Sequence, residues 1–435
     1  MAETAANLVD RVLPSEAPVR QWVLSVPRQI RYCLTKDAKL LSGTLTIWME
    51  EVFRHLSRQY AFQKLGVDGR RLKWRYRRRL PEAREVRCGG VTAIQRFGSS
   101  MNCHPHFHSL VLDGVYVRDP EAGKPAFIRV PEPDPEDMQI VLARVIRRVT
   151  RYLAKQGCFV EEPDGAGTQA EPGVLEVLQA ASIGGWEGLS NAARPVPVVG
   201  RATGGGASRV LERPFTAEKD GWSIHAGVVV EAGQKEKLEK VCRYLLRPPF
   251  AEERLSLLPD GRIAYGFRKP RWDGGTGIVL EPLEFLAKLA ALVPPPRVHA
   301  VRYHGVLGPH GSVRHEVVPG PQQQPGCTKD HGRGKSRRSD RVDGDETLGP
   351  PDGQPRRRTP RIDWATLLRR TFGLDVLDCP QCHGRMRVIA TITEPEAIRK
   401  VLSAMKLSTE IPRPFPARAP PQGEFEFDQE ERETA

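Results

Sequence analysis

Residues 103–113, with the sequence CHPHFHSLVLD, constrain the fold of this chain more than any other stretch. Histidine alternates here with a bulky apolar residue, and an apolar run follows, which predicts a β-strand. Side chains alternate between the two faces of a strand, so His106 and His108 should share one face while Phe107 points into a core on the other. Two adjacent imidazoles on a rigid element make a candidate metal site.

A partner strand is predicted just before the histidine strand. Residues 88–97 (CGGVTAIQRF) read as a strand, and a short loop separates them from the histidine strand at about 105–117. The two strands are expected to form an antiparallel hairpin. Gln95 is the polar residue on an otherwise apolar face of the first strand. If that face meets the histidines, the amide oxygen of Gln95 becomes a third metal ligand; in a register shifted by one residue it would lie elsewhere, at an exposed edge.

The composition favours a polyanionic partner. The chain has 435 residues and a formal net charge of +13. This balance favours nucleic acid over a membrane surface, although a merely soluble basic surface is the alternative. No apolar run of about 18 residues predicts a membrane span, and the first residues do not resemble a signal peptide. The eight cysteines are mostly scattered, which is typical of a reduced cytoplasmic protein.

Residues 70–79 (RRLKWRYRRR) interleave cations with aromatic rings. Cations can follow a phosphate backbone while rings stack on unpaired bases, so this segment is a candidate contact for single-stranded DNA. The alternative is a solvated basic loop. The candidate DNA-binding residues are Arg71, Lys73, Trp74, Arg75, Tyr76 and Arg77.

A second informative stretch is the predicted helix at residues 234–247. Its core stripe at helical spacing consists of Leu238, Val241, Cys242 and Leu245. Tyr244 lies roughly 120° around the helix from that stripe. It shares its face with further candidate DNA-binding cations, namely Lys237, Lys240 and Arg247. Tyr244 is therefore either a functional residue that acts on a phosphate group or an ordinary half-exposed tyrosine.

Three kinds of hydrolase compete for these residues. A metallo-hydrolase of the HxHxDH type needs an aspartate where this chain has Leu110. A zinc metalloprotease needs two histidines four residues apart on a helix, together with a glutamate. The third interpretation joins the histidine strand to Tyr244: a divalent metal activates a phosphodiester, and the tyrosine attacks it to form a covalent phosphotyrosine.

The motifs together resemble a known family. His106-Phe107-His108 and the apolar run after it look like the HUH motif of rolling-circle endonucleases. Further segments are similar to transposases of the insertion-sequence-91 type, including their common-region branch: AIQRFGS at 93–99, CRYLLRPP at 242–249, RYHGVL at 302–307 and CPQCHGRM at 379–386. The resemblance extends from about residue 1 to about residue 420.

This resemblance implies an activity and its parts. Such enzymes nick one DNA strand at the end of a mobile element and stay joined to the 5′ phosphate through tyrosine. Carried over, Tyr244 is the nucleophile, His106 and His108 bind the divalent metal, Mg²⁺ or Mn²⁺, and Gln95 is the third ligand. The implied partners are single-stranded DNA at the element ends and the host replication machinery, at the nucleoid in the bacterial cytoplasm.

The sequence departs from the family pattern in two places. Some members carry two tyrosines four residues apart, whereas Lys240 and Pro248 flank Tyr244 at that distance. The cysteine- and histidine-rich zinc module that usually opens the family is expected to be missing from this chain. An alternative function is therefore a catalytically inactive DNA-binding remnant or repressor of the same family.

The chain is expected to have an α+β fold, with an antiparallel β-sheet flanked by helices. Long helices are predicted at residues 36–62 and 136–156, the second with Met138, Ile140, Val141, Val145 and Ile146 on its core face. The predicted organisation is a catalytic domain at 1–310 with an irregular insertion near 158–214, a disordered basic linker at 311–361, a small module at 362–408 and a tail at 409–435. In the small module, Cys379 and Cys382 have zinc spacing, but a structural site needs four ligands, so zinc is not expected there.

Overall fold

The computed structural model describes ten segments of the chain, which are residues 2–65, 86–98, 101–118, 123–158, 174–184, 214–267, 275–294, 298–319, 362–390 and 392–410. The strands in these segments are β1 (Val19–Ser25), β2 (Val86–Arg87), β3 (Gly89–Phe97), β4 (Cys103–Leu112), β5 (Gly114–Arg118), β6 (Pro125–Arg129), β7 (Thr216–Lys219), β8 (Trp222–Val230), β9 (Leu255–Leu257), β10 (Ile263–Gly266), β11 (Gly277–Leu280) and β12 (Val301–Gly305). The helices are α1 (Ala2–Arg11), α2 (Arg28–Lys36), α3 (Ala38–Leu65), α4 (Pro135–Lys155), α5 (Val174–Gly184), α6 (Lys235–Leu245), α7 (Pro282–Leu292), α8 (Arg314–Val317), α9 (Trp364–Phe372) and α10 (Pro395–Ala404).

A central antiparallel sheet organises the described residues. Six strands follow the spatial order β12-β3-β4-β1-β8-β7. The histidine strand β4 lies between β3 and β1, and β3 and β4 form the hairpin predicted from the sequence. Two three-stranded sheets have the orders β11-β10-β9 and β2-β5-β6. Helices pack on the central sheet, so the predicted α+β class with an antiparallel sheet is confirmed.

Each face of the central sheet has its own helices. On one face Trp22, Phe107 and Val111 are buried together with residues of α3 and α4. On the other face Leu110 and Leu112 are buried together with residues of α1 and α6. Because side chains alternate along β4, the residues at even numbers belong to the second face. The α1 and α6 side of the sheet therefore receives the histidines.

The strand predicted at about 105–117 is in fact two strands. The chain turns at Asp113, and β5 leaves the central sheet to pair with β2 and β6. Arg20 holds this corner by donating to both carboxylate oxygens of Asp113, at 2.7 and 3.1 Å, and to the carbonyl oxygen of Ala226 at 3.0 Å. A Cβ at Gly114 would lie 2.3 Å from a carbonyl oxygen of β6. The sequence prediction missed the corner because the apolar alternation continues on both sides of it.

Two helices lie where the sequence predicted irregular chain. α5 lies within the insertion predicted at 158–214, and the hydroxyl of its Ser182 accepts a hydrogen bond at 2.9 Å from the backbone N–H of Cys103. α8 lies at the start of the predicted linker, where Val317 is buried. Tertiary packing thus orders both segments despite their glycine- and proline-rich surroundings.

The helix predicted at 136–156 is α4, and its buried face differs by one position from the prediction. Met138, Val141 and Val145 are buried as predicted. Ile140 is 38% exposed, whereas Leu142 is buried. The helix presents its core face to α3, β7 and β8, and hydrophobic spacing alone does not fix which residue at the margin of that face is buried.

α9, from the predicted C-terminal module, packs against α1 and near α6. Arg370 of α9 donates to the carboxylate of Glu239 on α6 at 2.7 Å and pairs with Asp10 on α1. Arg243 of α6 donates to the carbonyl oxygen of Thr371 at 3.3 Å. The side chains of Arg370, Asp10 and Glu239 are 16%, 16% and 11% exposed. α6 is therefore tied by ion pairs and hydrogen bonds to an element far away in the sequence.

Most of the predicted linker, residues 320–361, and residues 411–435 lie outside the described residues. Among the helices that the structure describes, none combines the length and the apolar character needed to cross a bilayer. The predicted division into a catalytic domain, linker, module and tail stays a prediction.

We predict that Arg20→Ala unfolds the protein more easily than any exposed arginine substitution. The side chains of Arg20 and Asp113 are 1% and 2% exposed, so the substitution leaves a buried carboxylate without its main partner. The expected loss is roughly 3–5 kcal/mol of unfolding free energy, measured by urea denaturation. Arg118→Ala is the matched control: Arg118 is 59% exposed and pairs with Glu316, so a loss of about 1 kcal/mol or less is expected. Equal losses for the two variants would contradict the role of Arg20.

We also predict that stability falls as the pH drops from about 7 to about 5. Burial against Trp22 lowers the pKa of His55 to about 4, while the unfolded chain titrates near its ordinary value. The unfolded state therefore binds the proton first, and the stabilisation present at neutral pH is lost on acidification, on the order of 2 kcal/mol at about pH 5. His55→Gln should reduce this dependence in urea titrations by about that amount, while buried His108 and His304 keep contributing in the same direction, and His315→Gln, at an exposed position, should leave it unchanged. An unchanged slope in His55→Gln would refute the assignment.

Candidate active site

The site is built on three strands of the central sheet. In the β3–β4 ladder, Gln95 lies directly opposite His106, and Ala93 lies opposite His108. Residues directly opposite each other in an antiparallel pair share a face, so Gln95, His106 and His108 point to the same side. Gln95 and the two histidines are 3%, 2% and 0% exposed. The register is the one that makes Gln95 a candidate ligand.

The two imidazoles are oriented by hydrogen bonds from their Nδ1 atoms. The rings lie 4.8 Å apart between centroids. Nδ1 of His106 lies 2.7 Å from the carbonyl oxygen of His104, so it carries the proton and donates. In a neutral imidazole with Nδ1 protonated, Nε2 carries the lone pair. Nε2 is therefore the atom through which His106 can bind a metal.

Gln21 on β1 contacts Nδ1 of His108, as the carbonyl oxygen of His104 contacts Nδ1 of His106. Its amide nitrogen lies 2.9 Å from Nδ1 of His108, while its amide oxygen is buried without a hydrogen-bond partner. A half-turn of the amide exchanges the two atoms and gives the Nδ1–H group of His108 an acceptor. Metal-binding histidines are usually oriented by such an acceptor behind the ring. The sequence analysis missed Gln21, although a polar residue between buried Arg20 and Trp22 was a usable signal.

Burial keeps His104 and His108 neutral. Desolvation lowers the pKa of His108 well below its ordinary value, and His106, Arg247 and His225 add to the effect. The pKa of His104 is lowered in the same way, by burial and then by Arg31. A neutral imidazole is the form that can coordinate a metal ion.

Buried acceptor atoms without hydrogen bonds test whether a metal fits here. Oε1 of Gln95 and Nε2 of His108 are both buried without a hydrogen-bond partner. Leaving such atoms unsatisfied costs about 1–3 kcal/mol each, which a metal ion would offset. Among the described residues no three His, Cys, Asp or Glu side chains are grouped for a metal, so His104 does not complete a histidine triad. Gln95, His106 and His108 therefore remain the candidate donor set, and Nε2 of His104 is buried without a hydrogen-bond partner as well.

Gln95 also connects the sheet face that carries the two histidines to α6. Its amide nitrogen donates to the carbonyl oxygen of Leu245 at 2.8 Å, in the last turn of the helix. This bond fixes the rotation of the amide and leaves Oε1 as the atom available to a metal. One side chain therefore fixes the position of α6 relative to the histidines.

Tyr244, in the same turn of α6, stands against the histidines. Its ring centroid lies 6.0 Å from that of His108, with the planes at 86°. The guanidinium carbon of Arg247 lies 4.4 Å from the Tyr244 ring centroid, within range of a cation–π contact. The apolar stripe predicted for the helix is buried, and it turns Tyr244 towards the sheet. The structure thus brings together Gln95, the two histidines and Tyr244, which the sequence analysis selected from three segments, and the predicted DNA-binding residue Arg247 lies beside them.

His225 is a further polar group on this face. His225 lies on β8 and pairs with Val23 of β1. On its other side, Val23 pairs with His108 of β4. Nδ1 of His225 is 3.2 Å from the hydroxyl of Thr216, and burial lowers its pKa. His304 belongs to the other face, where its Nε2 lies 3.1 Å from the hydroxyl of Thr92. His225 and His304 therefore lie on opposite faces of the central sheet.

The predicted DNA-binding residues fall into two groups. Arg71, Lys73, Trp74, Arg75, Tyr76 and Arg77 lie outside the described residues. On and after α6, Lys237 and Lys240 are exposed and Arg247 is half-buried. Of these cations, Arg247 is the one in contact with Tyr244.

Comparison with known proteins identifies the family. A family model described as "Putative transposase" matches residues 89–314, a little over half of the chain. The match begins at β3, ends at the start of α8 and includes Gln95, His106, His108 and Tyr244. None of the curated proteins and none of the solved structures matches the chain. The chain therefore belongs to this transposase family.

Proposed function

We propose that this transposase nicks single-stranded DNA and transfers the strand through a covalent 5′-phosphotyrosine at Tyr244, as in rolling-circle transposition by HUH endonucleases. The observation that carries the proposal is the placement of the Tyr244 ring, 6.0 Å from the ring of His108, on the sheet face where Gln95 and the histidines converge. A nucleophile and a candidate metal site share one surface. Of the three interpretations open from the sequence, this arrangement favours phosphodiester chemistry.

His106 and His108, through Nε2, and Gln95, through Oε1, would hold a divalent cation, Mg²⁺ or Mn²⁺. When bound, such a cation polarises a phosphodiester oxygen and orients the phosphate for in-line attack. The chain's own contribution is to keep His108 neutral, to fix the Nδ1 atoms of both imidazoles by hydrogen bonds and to shield the site by burial. Arrangement of this kind before binding lowers the cost of assembling the reactive geometry.

The proposed step exchanges one phosphoester bond for another. Oη of Tyr244 attacks phosphorus, the phosphorus–O3′ bond breaks, and its electron pair stays on O3′. The phenol releases one proton and the 3′ oxygen takes up one, which leaves a 5′-phosphotyrosine and a 3′ hydroxyl. Because the bond energy is retained, strand joining by the reverse step needs no ATP.

Positive charge would hold the substrate. Arg247 packs on the Tyr244 ring, so its guanidinium lies where a phosphate attacked by Oη would come close. The net charge of +13 favours a polyanion, and affinity should fall steeply with salt as counterions are released. The proposed partners are single-stranded DNA at the element ends and the host replication machinery, at the nucleoid.

We predict that Tyr244→Phe abolishes the covalent adduct. The purified protein is incubated with 5′- and 3′-labelled single-stranded DNA from the element ends and Mn²⁺, and adducts are resolved on denaturing gels. The wild type should form a protease-sensitive adduct with the 5′-phosphate fragment. Removal of metal with EDTA should suppress it, and added Mg²⁺ or Mn²⁺ should restore it.

Tyr303→Phe is the matched control, because Tyr303 is a half-buried tyrosine on β12. It should form the adduct at the wild-type rate. An adduct that persists in Tyr244→Phe would assign the nucleophile elsewhere. DNA binding by the wild type without any adduct would favour the inactive DNA-binding remnant instead.

We further predict that two substitutions at Gln95 separate its two roles. Gln95→Ala removes both the metal-facing oxygen and the bond to Leu245, so the metal concentration for half-maximal rate should rise and the saturating rate should fall, about 10–100-fold in total. Gln95→Glu keeps an oxygen ligand but cannot donate to the Leu245 carbonyl. It should keep the metal requirement and lose saturating rate, measured as adduct formation against Mn²⁺ concentration.

His104→Ala is the comparison for this series, since His104 is buried beside His106 but lies outside the proposed donor set. A smaller change in metal dependence is expected than for Gln95→Ala. The reverse order, with His104→Ala the more severe, would replace Gln95 by His104 as the third ligand.

A further inference from the structure

The C-terminal module contains a tight hairpin around Cys379 and Cys382. Two backbone hydrogen bonds close its turn: Cys379 N–H donates to the carbonyl of Gly384 at 3.0 Å, and His383 N–H donates to the carbonyl of Cys379 at 2.8 Å. Asp378 and Arg385 form a bridge on either side of the turn. His383 has φ +54°, the left-handed conformation that lets the chain reverse directly after the second cysteine.

The turn brings the two cysteines close together. Cys379 opens the closed turn, and Cys382 directly precedes its left-handed residue, His383. Gly384 lies beneath the second sulfur, because a Cβ there would be 3.2 Å from Sγ of Cys382. Cys382 itself is exposed. Two cysteines three residues apart in one closed turn, the second of them exposed, supply two of the four ligands of a tetrahedral thiolate site.

The described part of the chain does not supply the other half. A structural zinc site takes four ligands, and no group of three or more candidate ligands occurs among the described residues. His383 is turned towards Asp378, with Nδ1 3.3 Å from the carboxylate. A symmetric four-ligand site between two identical chains takes two accessible ligands from each chain. Cys379 and Cys382 can supply such a pair.

The same module exposes an unusual amount of apolar surface. Met386, Val388 and Ile389 follow the hairpin and are 40%, 51% and 90% exposed. On α10 no residue is buried, although Val401 lies on an apolar stripe of this amphipathic helix. Exposed apolar surface of this extent is typical of an interface.

We propose that Cys379 and Cys382 of two copies of this chain bind one Zn²⁺ through four thiolates, and that the apolar surface of residues 386–405 packs in the dimer so formed. This site is separate from the candidate active site on the central sheet and does not depend on the proposed nuclease activity. The sequence analysis did not expect zinc here, because the single CxxC pair supplies two of the four ligands; a second copy of the chain supplies the other two.

The test uses the full chain carrying His106→Ala and His108→Ala, so that the candidate active site cannot contribute metal. After purification under reducing conditions, zinc content is measured by mass spectrometry and molar mass by light scattering. The expected result is about one zinc for two chains and a dimer that dissociates on chelation. Cobalt substitution should give thiolate charge-transfer and tetrahedral d–d bands.

Cys379→Ser with Cys382→Ser should remove the zinc and yield monomer, whereas Cys33→Ser, a substitution of a half-buried cysteine on α2, should leave both unchanged. Cys382→His keeps a zinc ligand, so it should retain metal with an altered cobalt spectrum even if the serine variant folds poorly.

Three results would overturn the proposal. One zinc per monomer would mean that the site is completed within the chain, for which Cys327 and His331, outside the described residues, are candidates. A dimer that survives both chelation and the double serine substitution would remove zinc from the interface. Wild-type chain that takes up neither zinc nor cobalt would exclude the site.

Discussion

The pairing of β4 with β3 on one side and β1 on the other is the constraint on which the site depends. Side chains alternate along a strand, so a shift of one residue in either ladder would move every side chain to the opposite face. The apolar residues of β4, such as Phe107 and Val111, must be buried against α3 and α4. That requirement fixes the register, and the register in turn places Gln95 beside His106 and Gln21 behind His108.

Burying polar groups on the second face of the sheet destabilises the fold unless each polar atom has a hydrogen-bond partner or a ligand. Their burial removes water from imidazole and amide groups, and an unsatisfied buried acceptor is destabilising. Nδ1 of His106 is satisfied within the protein, and Gln21 can do the same for His108, while Oε1 of Gln95 and Nε2 of His108 accept no hydrogen bond. In a metal site, the protein usually holds one ring nitrogen of each histidine by a hydrogen bond and leaves the other nitrogen for the metal. The histidines on this face match that pattern.

The position of α6 links the sheet to the rest of the molecule. Leu238, Val241 and Leu245 bury the helix against the sheet. Gln95 holds the last turn through the carbonyl of Leu245, and Arg370, from more than a hundred residues away in the sequence, holds Glu239 near the middle of the helix. Because the helix is held at both places, the Tyr244 side chain is presented to the histidines by contacts that its own ring does not make.

The sequence by itself determined the α+β class, the β3–β4 hairpin, the shared face of His106 and His108, and the apolar stripe of α6. These follow from local periodicity, which depends on the backbone geometry of strands and helices. Tertiary structure decided the rest: the corner at Asp113, the helix α5, the exposure of Ile140, the bond from Gln95 to Leu245 and the place of Tyr244 against His108. Each of these depends on contacts between segments distant in the chain. Periodicity specifies which face of an element is buried, but not what packs against it.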